Sequence, residues 1–102
     1  MAETLGPMEL KLQLDNNAVT LLDVRRSADV ALDPVTIEGA QWRDPEQVDA
    51  WEKDVPKDRP VVIYCVRGGS VSRSVLAALR AKGHDAHFLE GGLEAWKGAT
   101  AS

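Results

Sequence analysis

The stretch PVVIYCVRGGSVSRSVLAALRAKG, residues 60–83, sets three kinds of sequence in series. Val61–Tyr64 is a short continuous apolar run behind Pro60, the pattern of a strand buried on both faces as in parallel sheets. Further on, Val71, Val75, Ala78, Leu79 and Lys82 follow helical spacing, and Gly83 stands where a helix takes its left-handed terminating residue. Between them lies a loop of small and basic residues that opens with Cys65, the only cysteine of the chain. A strand running through such a loop into a helix predicts an α/β unit.

Outward from this stretch the alternation continues. AVTLLDV (18–24) is a second buried strand, DAHFLEGG (85–92) a shorter third, and GAQW (39–42) a candidate edge strand. Asp44 before Pro45 reads as an N-cap with proline in the first turn, and Gln47 is placed for a capping box. Val48, Trp51 and Val55 then share one helical face up to Pro56, and Leu93, Ala95 and Trp96 suggest a last short helix. MELKLQLDN (8–16) is ambiguous. Met8, Leu10, Leu12 and Leu14 alternate as in a strand, yet the charges and Asp15-Asn16-Asn17 suit a short helix and its stop equally well. The expected architecture is an α/β domain over residues 8–98, its mainly parallel central sheet flanked by helices. Residues 1–7 form a flexible lead-in and 99–102 a tail.

A chain of 102 residues fits one domain, since single cores usually organise roughly 100–150 residues. Its 44% hydrophobic and 27% charged residues are ordinary for a globular protein. The net charge of −4 argues against a broad nucleic-acid surface, though not against a small cationic pocket. One cysteine cannot form an intrachain disulfide, and no cysteine pair offers metal-ligand spacing, which fits a reducing compartment. MAETLGPMEL lacks the pattern of a secretory leader, and no apolar stretch approaches the roughly 20 residues of a membrane span. The expectation is a cytoplasmic protein with neither membrane nor nucleic-acid partners.

The cysteine's place then matters. At the carboxyl end of a central strand it occupies the edge where α/β sheets bind ligands. Gly68 and Gly69 allow backbone angles that turn several N–H groups inward, beneath the start of a helix. Those donors and the helix dipole favour a thiolate, and Arg67 and Arg73 add positive charge nearby. The bland alternative stays open at this point: lone cysteines are commonly small buried hydrophobes, and both arginines can simply be solvated.

Four segments in order resemble the rhodanese family of sulfurtransferases in its single-domain form: LLDVR (21–25), IEGAQW (37–42), VVIYCVRGG (61–69) and HFLEGGLEAW (87–96). The resemblance implies a single rhodanese-like domain in which Cys65 is the catalytic nucleophile. On that resemblance Cys65 would take the outer sulfur of thiosulfate or a persulfide donor and pass it to cyanide or a thiol acceptor, such as a thiol protein, with neither metal nor organic cofactor. The loop residues Val66, Arg67, Gly68, Gly69, Ser70 and Val71, with Arg73, would then bind the substrate. Asp23 and Arg25 match family positions, and as an aspartate at a strand end beside an arginine they read as structural. Trp42, Trp51 and Trp96 read as packing. His84 and His87 read as surface or satisfied residues.

The chain also departs from the family. The usual loop carries an arginine where this chain has Ser70, and the spacing from Cys65 to Gly83 suggests one extra residue. Relatives that act on phosphate or arsenate have a longer loop with an arginine where this chain has Val71, which cannot clamp an oxyanion. An arsenate reductase or phosphatase-like enzyme, or a non-enzymatic sulfur-relay module, are the alternatives. RSADVALDPVTI (26–37) also differs from the family's usual segment, having no histidine before Ile37.

Overall fold

The computed structural model describes residues 3–67 and 69–100. Five strands form one parallel sheet: β1 (Thr4–Leu5), β2 (Thr20–Asp23), β3 (Gln41–Trp42), β4 (Val61–Tyr64) and β5 (Ala86–Leu89), in the spatial order β1-β5-β4-β2-β3. The helices are α1 (Pro7–Asp15), α2 (Ser27–Leu32), α3 (Val48–Trp51), α4 (Ser70–Ala81) and α5 (Gly92–Thr100). The expected parallel α/β architecture is observed, with GAQW contributing the edge strand β3.

β4 explains why the sheet needs helices on both faces. All four of its residues are buried, and strand alternation sends them to opposite sides. Val61 and Ile63 join Leu22, Trp51, Val75, Leu79 and Phe88 in a core under α3 and α4. Val62 and Tyr64 join Leu5, Leu10, Leu21, Leu89 and Leu93 in a second core under α1 and α5. Burying each such side chain contributes about 1.5–3 kcal/mol, so both layers hold the central strands in place.

The ambiguous segment MELKLQLDN is a helix. Its alternating apolar residues divide by helical geometry into two pairs one turn apart. Leu10 and Leu14 face the core, whereas Met8 and Leu12 are exposed. Pro7 occupies the first turn, and Asn17 ends the segment at φ 52°, a left-handed conformation asparagine tolerates. The stretch expected as a lead-in differs as well. Thr4 and Leu5 add a strand alongside β5, with Leu5 buried, because the apolar edge of β5 would otherwise be unpaired. At the other end α5 runs to Thr100, into the stretch expected as a tail.

The expected helix after Asp44 is broken into a 3₁₀ turn, α3 and a second 3₁₀ turn. Asp44 does cap it, accepting from the Glu46 amide at 2.9 Å. Trp51 and Val55 enter the core as expected, and Val48 packs against it. α4 follows the sequence reading closely, ending at Ala81 with Gly83 at φ 90°. No helix among the described residues is long and apolar enough to cross a membrane.

Candidate active site

The topology itself creates a crevice. β2 and β4 lie side by side at the centre of the sheet, with Asp23 in register with Tyr64. From β2 the chain leads outward to β3 on one side, and from β4 it leads through α4 to β5 on the other. Their carboxyl ends therefore part company, which is where α/β sheets leave room for ligands. Cys65 follows β4 at this point, 6% exposed. It lies at the floor of an open depression of about 370 Å³. The other walls come from Arg26 and Asp29 after β2 and from Val66, Arg67, Gly69 and Val71 after β4.

The loop's orientation is set by α5. The Leu93 amide donates to the Cys65 carbonyl at 2.9 Å and the Glu94 amide to the Val66 carbonyl at 3.1 Å. In a trans peptide the C=O and the following N–H point in opposite directions. Binding both carbonyls to α5 therefore turns the Val66 and Arg67 N–H groups away from it. This contact requires glycine at position 92. Gly92 has φ 62°, and a Cβ there would come within 2.4 Å of the Cys65 carbonyl oxygen. The GG of HFLEGGLEAW thus has a steric reason: it lets one helix start against the cysteine's own peptide. α4 opens after Gly69 with no side-chain cap among the described residues and no acidic residue in its first turn. Its first amides are left available to an anion.

Of the residues singled out from sequence, Cys65, Val66, Arg67, Gly69 and Val71 come together around the depression. Ser70 starts α4. Gly68 lies outside the described residues. Arg73 is exposed on α4 and stands outside the lining. Arg67 is exposed too, and its Nε donates to Glu94 Oε2 at 2.8 Å, so it is paired. Each cation at the mouth has a nearby acid: Arg67 with Glu94 in contact, and Arg26 with Asp29 on the same rim. Sequence reading missed Arg26, Asp29 and Glu94, since what brings them there is pairing between segments far apart in the chain.

Asp23 and Arg25 are both buried, and their closest contact is 2.8 Å. Arg25 Nε reaches both Asp23 oxygens, at 3.1 and 3.0 Å. Its remaining nitrogens donate to the Asp33 and Val35 carbonyls, at 2.7 and 3.1 Å. The Trp42 indole donates to the Arg25 carbonyl at 2.9 Å. Arg25 therefore pins the segment after α2 and strand β3 to the end of β2. Burial works against its charge, but the Asp23 bond and field outweigh that and hold its pKa above the ordinary value.

His84 and His87 are buried rather than on the surface. His84 Nε2 meets Glu52 at 2.7 Å and His87 Nε2 meets Asp85 at 2.8 Å. Trp51 is a core residue, Trp96 packs against the second core, and Trp42 is exposed on β3.

Residues 6–99 match the family model of the Rhodanese-like domain. Over 96 residues the chain is 35% identical to a probable adenylyltransferase/sulfurtransferase MoeZ of Mycobacterium tuberculosis; the match takes in 91% of this chain and 24% of that protein. The chain thus spans about a quarter of that relative's length. Among solved structures, a rhodanese-like domain protein from Staphylococcus aureus superposes with a TM-score of 0.81 at 28% identity, covering 93% of this chain and 91% of that one. A rhodanese homologue from the extremely thermophilic bacterium Thermus thermophilus superposes with a TM-score of 0.72 at 31% identity, covering 92% of this chain and all of that one.

Proposed function

The chain belongs to the rhodanese-like domain family, and from that premise we propose that it is a sulfurtransferase working through a persulfide on Cys65. The observation that carries the proposal is the placing of its single thiol. It lies at the carboxyl end of a central strand, on the floor of an open depression, below amides that α5 and α4 leave turned outward or uncapped.

In the first half-reaction the Cys65 thiolate attacks the outer sulfur of thiosulfate. An S–S bond forms to Cys65, the S–S bond of thiosulfate breaks, and sulfite leaves with the electron pair. In the second, cyanide or a thiolate attacks that outer sulfur and departs as thiocyanate or a persulfide, returning the Cys65 thiolate. Two half-reactions through a covalent intermediate give ping-pong kinetics. The outward amides of Val66 and Arg67 supply hydrogen bonds to the terminal sulfur as charge builds there. Cyanide serves as an assay acceptor and a thiol compound or thiol protein as the cellular one, in the cytoplasm.

An arsenate reductase or phosphatase-like enzyme on this fold is disfavoured by one residue. Val71 lines the depression where such chemistry wants an arginine.

Intact mass spectrometry tests the proposal. Incubation with thiosulfate is expected to add one sulfur, about 32 Da, as a persulfide, and cyanide to remove it with release of thiocyanate. Cys65→Ser should take up nothing while unfolding at an unchanged denaturant midpoint. Wild-type protein that stays at its original mass, or turnover of a phosphate ester instead, overturns the proposal.

A further inference from the structure

α5 does more than support the loop. Its first turn holds the Cys65 and Val66 carbonyls by its amides, and the same turn brings the Glu94 carboxylate onto Arg67, the cation that the family resemblance assigns to substrate binding. Glu94 also lines a second depression, of about 320 Å³, that shares Arg25, Asp29 and Val66 with the one above Cys65. It therefore lines the hollow adjoining the one above Cys65 and reaches the latter's wall through its bond to Arg67. Of the cations lining the mouth, Arg67 is paired with Glu94 and Arg25 is neutralised within by Asp23, while Asp29 lines the same depression as Arg26.

We propose that Glu94 is the charge-selectivity residue of this site: by occupying Arg67 and adding its own negative charge, it disfavours dianionic thiosulfate relative to sulfur carriers that bring at most one charge, such as organic persulfides and thiosulfonates. This inference rests on the sulfur-transfer reading for its substrates, and its electrostatic part can be tested apart from it. Two unit charges about 6 Å apart in water interact by about 0.7 kcal/mol, so at such a separation each additional negative charge on the reagent costs about threefold in rate. At 1 M salt the Debye length falls to about 3 Å and the discrimination fades. An exposed pair of this kind adds little to folding, so its removal acts on the site and not on the core.

Two donors of different charge read the effect through the same chemistry. With benzenethiosulfonate, a monoanion, the Cys65 thiolate takes the outer sulfur and benzenesulfinate leaves with the electron pair. With thiosulfate, a dianion, sulfite leaves. Glu94→Gln is expected to raise the ratio of loading rates, thiosulfate over benzenethiosulfonate, about threefold at low salt, with the gain lost at 1 M salt. Glu94→Asp, which keeps the charge, should remain near the wild-type ratio.

Alkylation supplies the independent arm. Because Cys65 is the only cysteine, intact mass reports its reaction alone. Glu94→Gln should raise the ratio of iodoacetate (anionic) to iodoacetamide (neutral) alkylation rates by the same factor of about three. If that ratio rises while neither donor loads sulfur, the sulfur-transfer reading fails and with it the donor preference, while the electrostatic role of Glu94 stands. If the wild type loads sulfur but Glu94→Gln leaves both ratios unchanged, or moves Glu94→Asp equally, the role of Glu94 is overturned.

Discussion

Arg25–Asp23 and Arg67–Glu94 have the same 2.8 Å N–O contact, and in both the arginine lies in a loop at the carboxyl edge of the sheet. In the first pair the side chains are 1% and 0% exposed, and the arginine also holds two carbonyls of the segment after α2. In the second they are 80% and 63% exposed. Distance alone would rank the two pairs equal, but solvent separates them. A buried pair whose partner is removed leaves an uncompensated charge in a poor dielectric, whereas an exposed pair is replaced by water at little cost. The buried pair is thus a structural joint, and the exposed one can act only through its field at the mouth.

The largest test of that contrast is Arg25→Met. It strands the Asp23 carboxylate in the interior and releases the Asp33 and Val35 carbonyls, so a loss of about 3–5 kcal/mol in urea unfolding is expected. Arg25→Lys keeps the charge without the planar fork and should recover only part of that loss. A cost below about 1 kcal/mol for Arg25→Met would erase the distinction between the pairs.

Next in size comes Tyr64, one strand position before the cysteine. Its hydroxyl accepts from the buried Ile37 amide at 3.2 Å. Burial raises its pKa well above the ordinary value, and the nearby Asp23 charge pushes the same way, against the opposing pull of the Ile37 amide and Arg25. The folded state therefore holds the neutral phenol while the unfolded chain ionises near the usual value of about 10. Stability from this group is complete below about pH 10 and is lost as pH rises from there toward the folded value. As the chain has one tyrosine, tyrosinate absorbance follows this residue alone and should appear only with unfolding. Titration of native protein near pH 10 would show the phenol to be solvated. Tyr64→Phe should cost about 1–3 kcal/mol at neutral pH by orphaning the Ile37 N–H.

The smallest effect belongs to the exposed pair. Arg67→Ala and Glu94→Gln should each change unfolding free energy by no more than about 0.5 kcal/mol. A loss comparable to that of Arg25→Met would make Arg67–Glu94 a second structural joint, contradicting the reading above.

What sequence and structure each contributed divides along the reach of the interactions involved. The β4–loop–α4 stretch was legible because its signals are local: an apolar run, a glycine-bearing loop, a helical period and Gly83 at the stop. The edge strand at Gln41–Trp42 and the cap at Asp44 were legible for the same reason. MELKLQLDN was not, since spacing of two is also half of the one-turn spacing of four, and only burial of Leu10 beside exposure of Leu12 separates them. Residues 4–5 gave no strand signal, because their partner is the distant β5.

By itself the sequence determined the parallel α/β architecture, the placing of Cys65 at a strand end, and the family, since these rest on periodicity and on ordered motifs readable within short windows. Tertiary structure alone decided that Glu94 covers Arg67, that Arg25 is spent on Asp23 and two carbonyls, and that Gly92 must be bare to meet the Cys65 peptide. Those facts depend on which segments the sheet order makes neighbours. Chain connectivity carries no measure of that proximity, and the energy of a charge depends on the water left around it once the neighbours have packed.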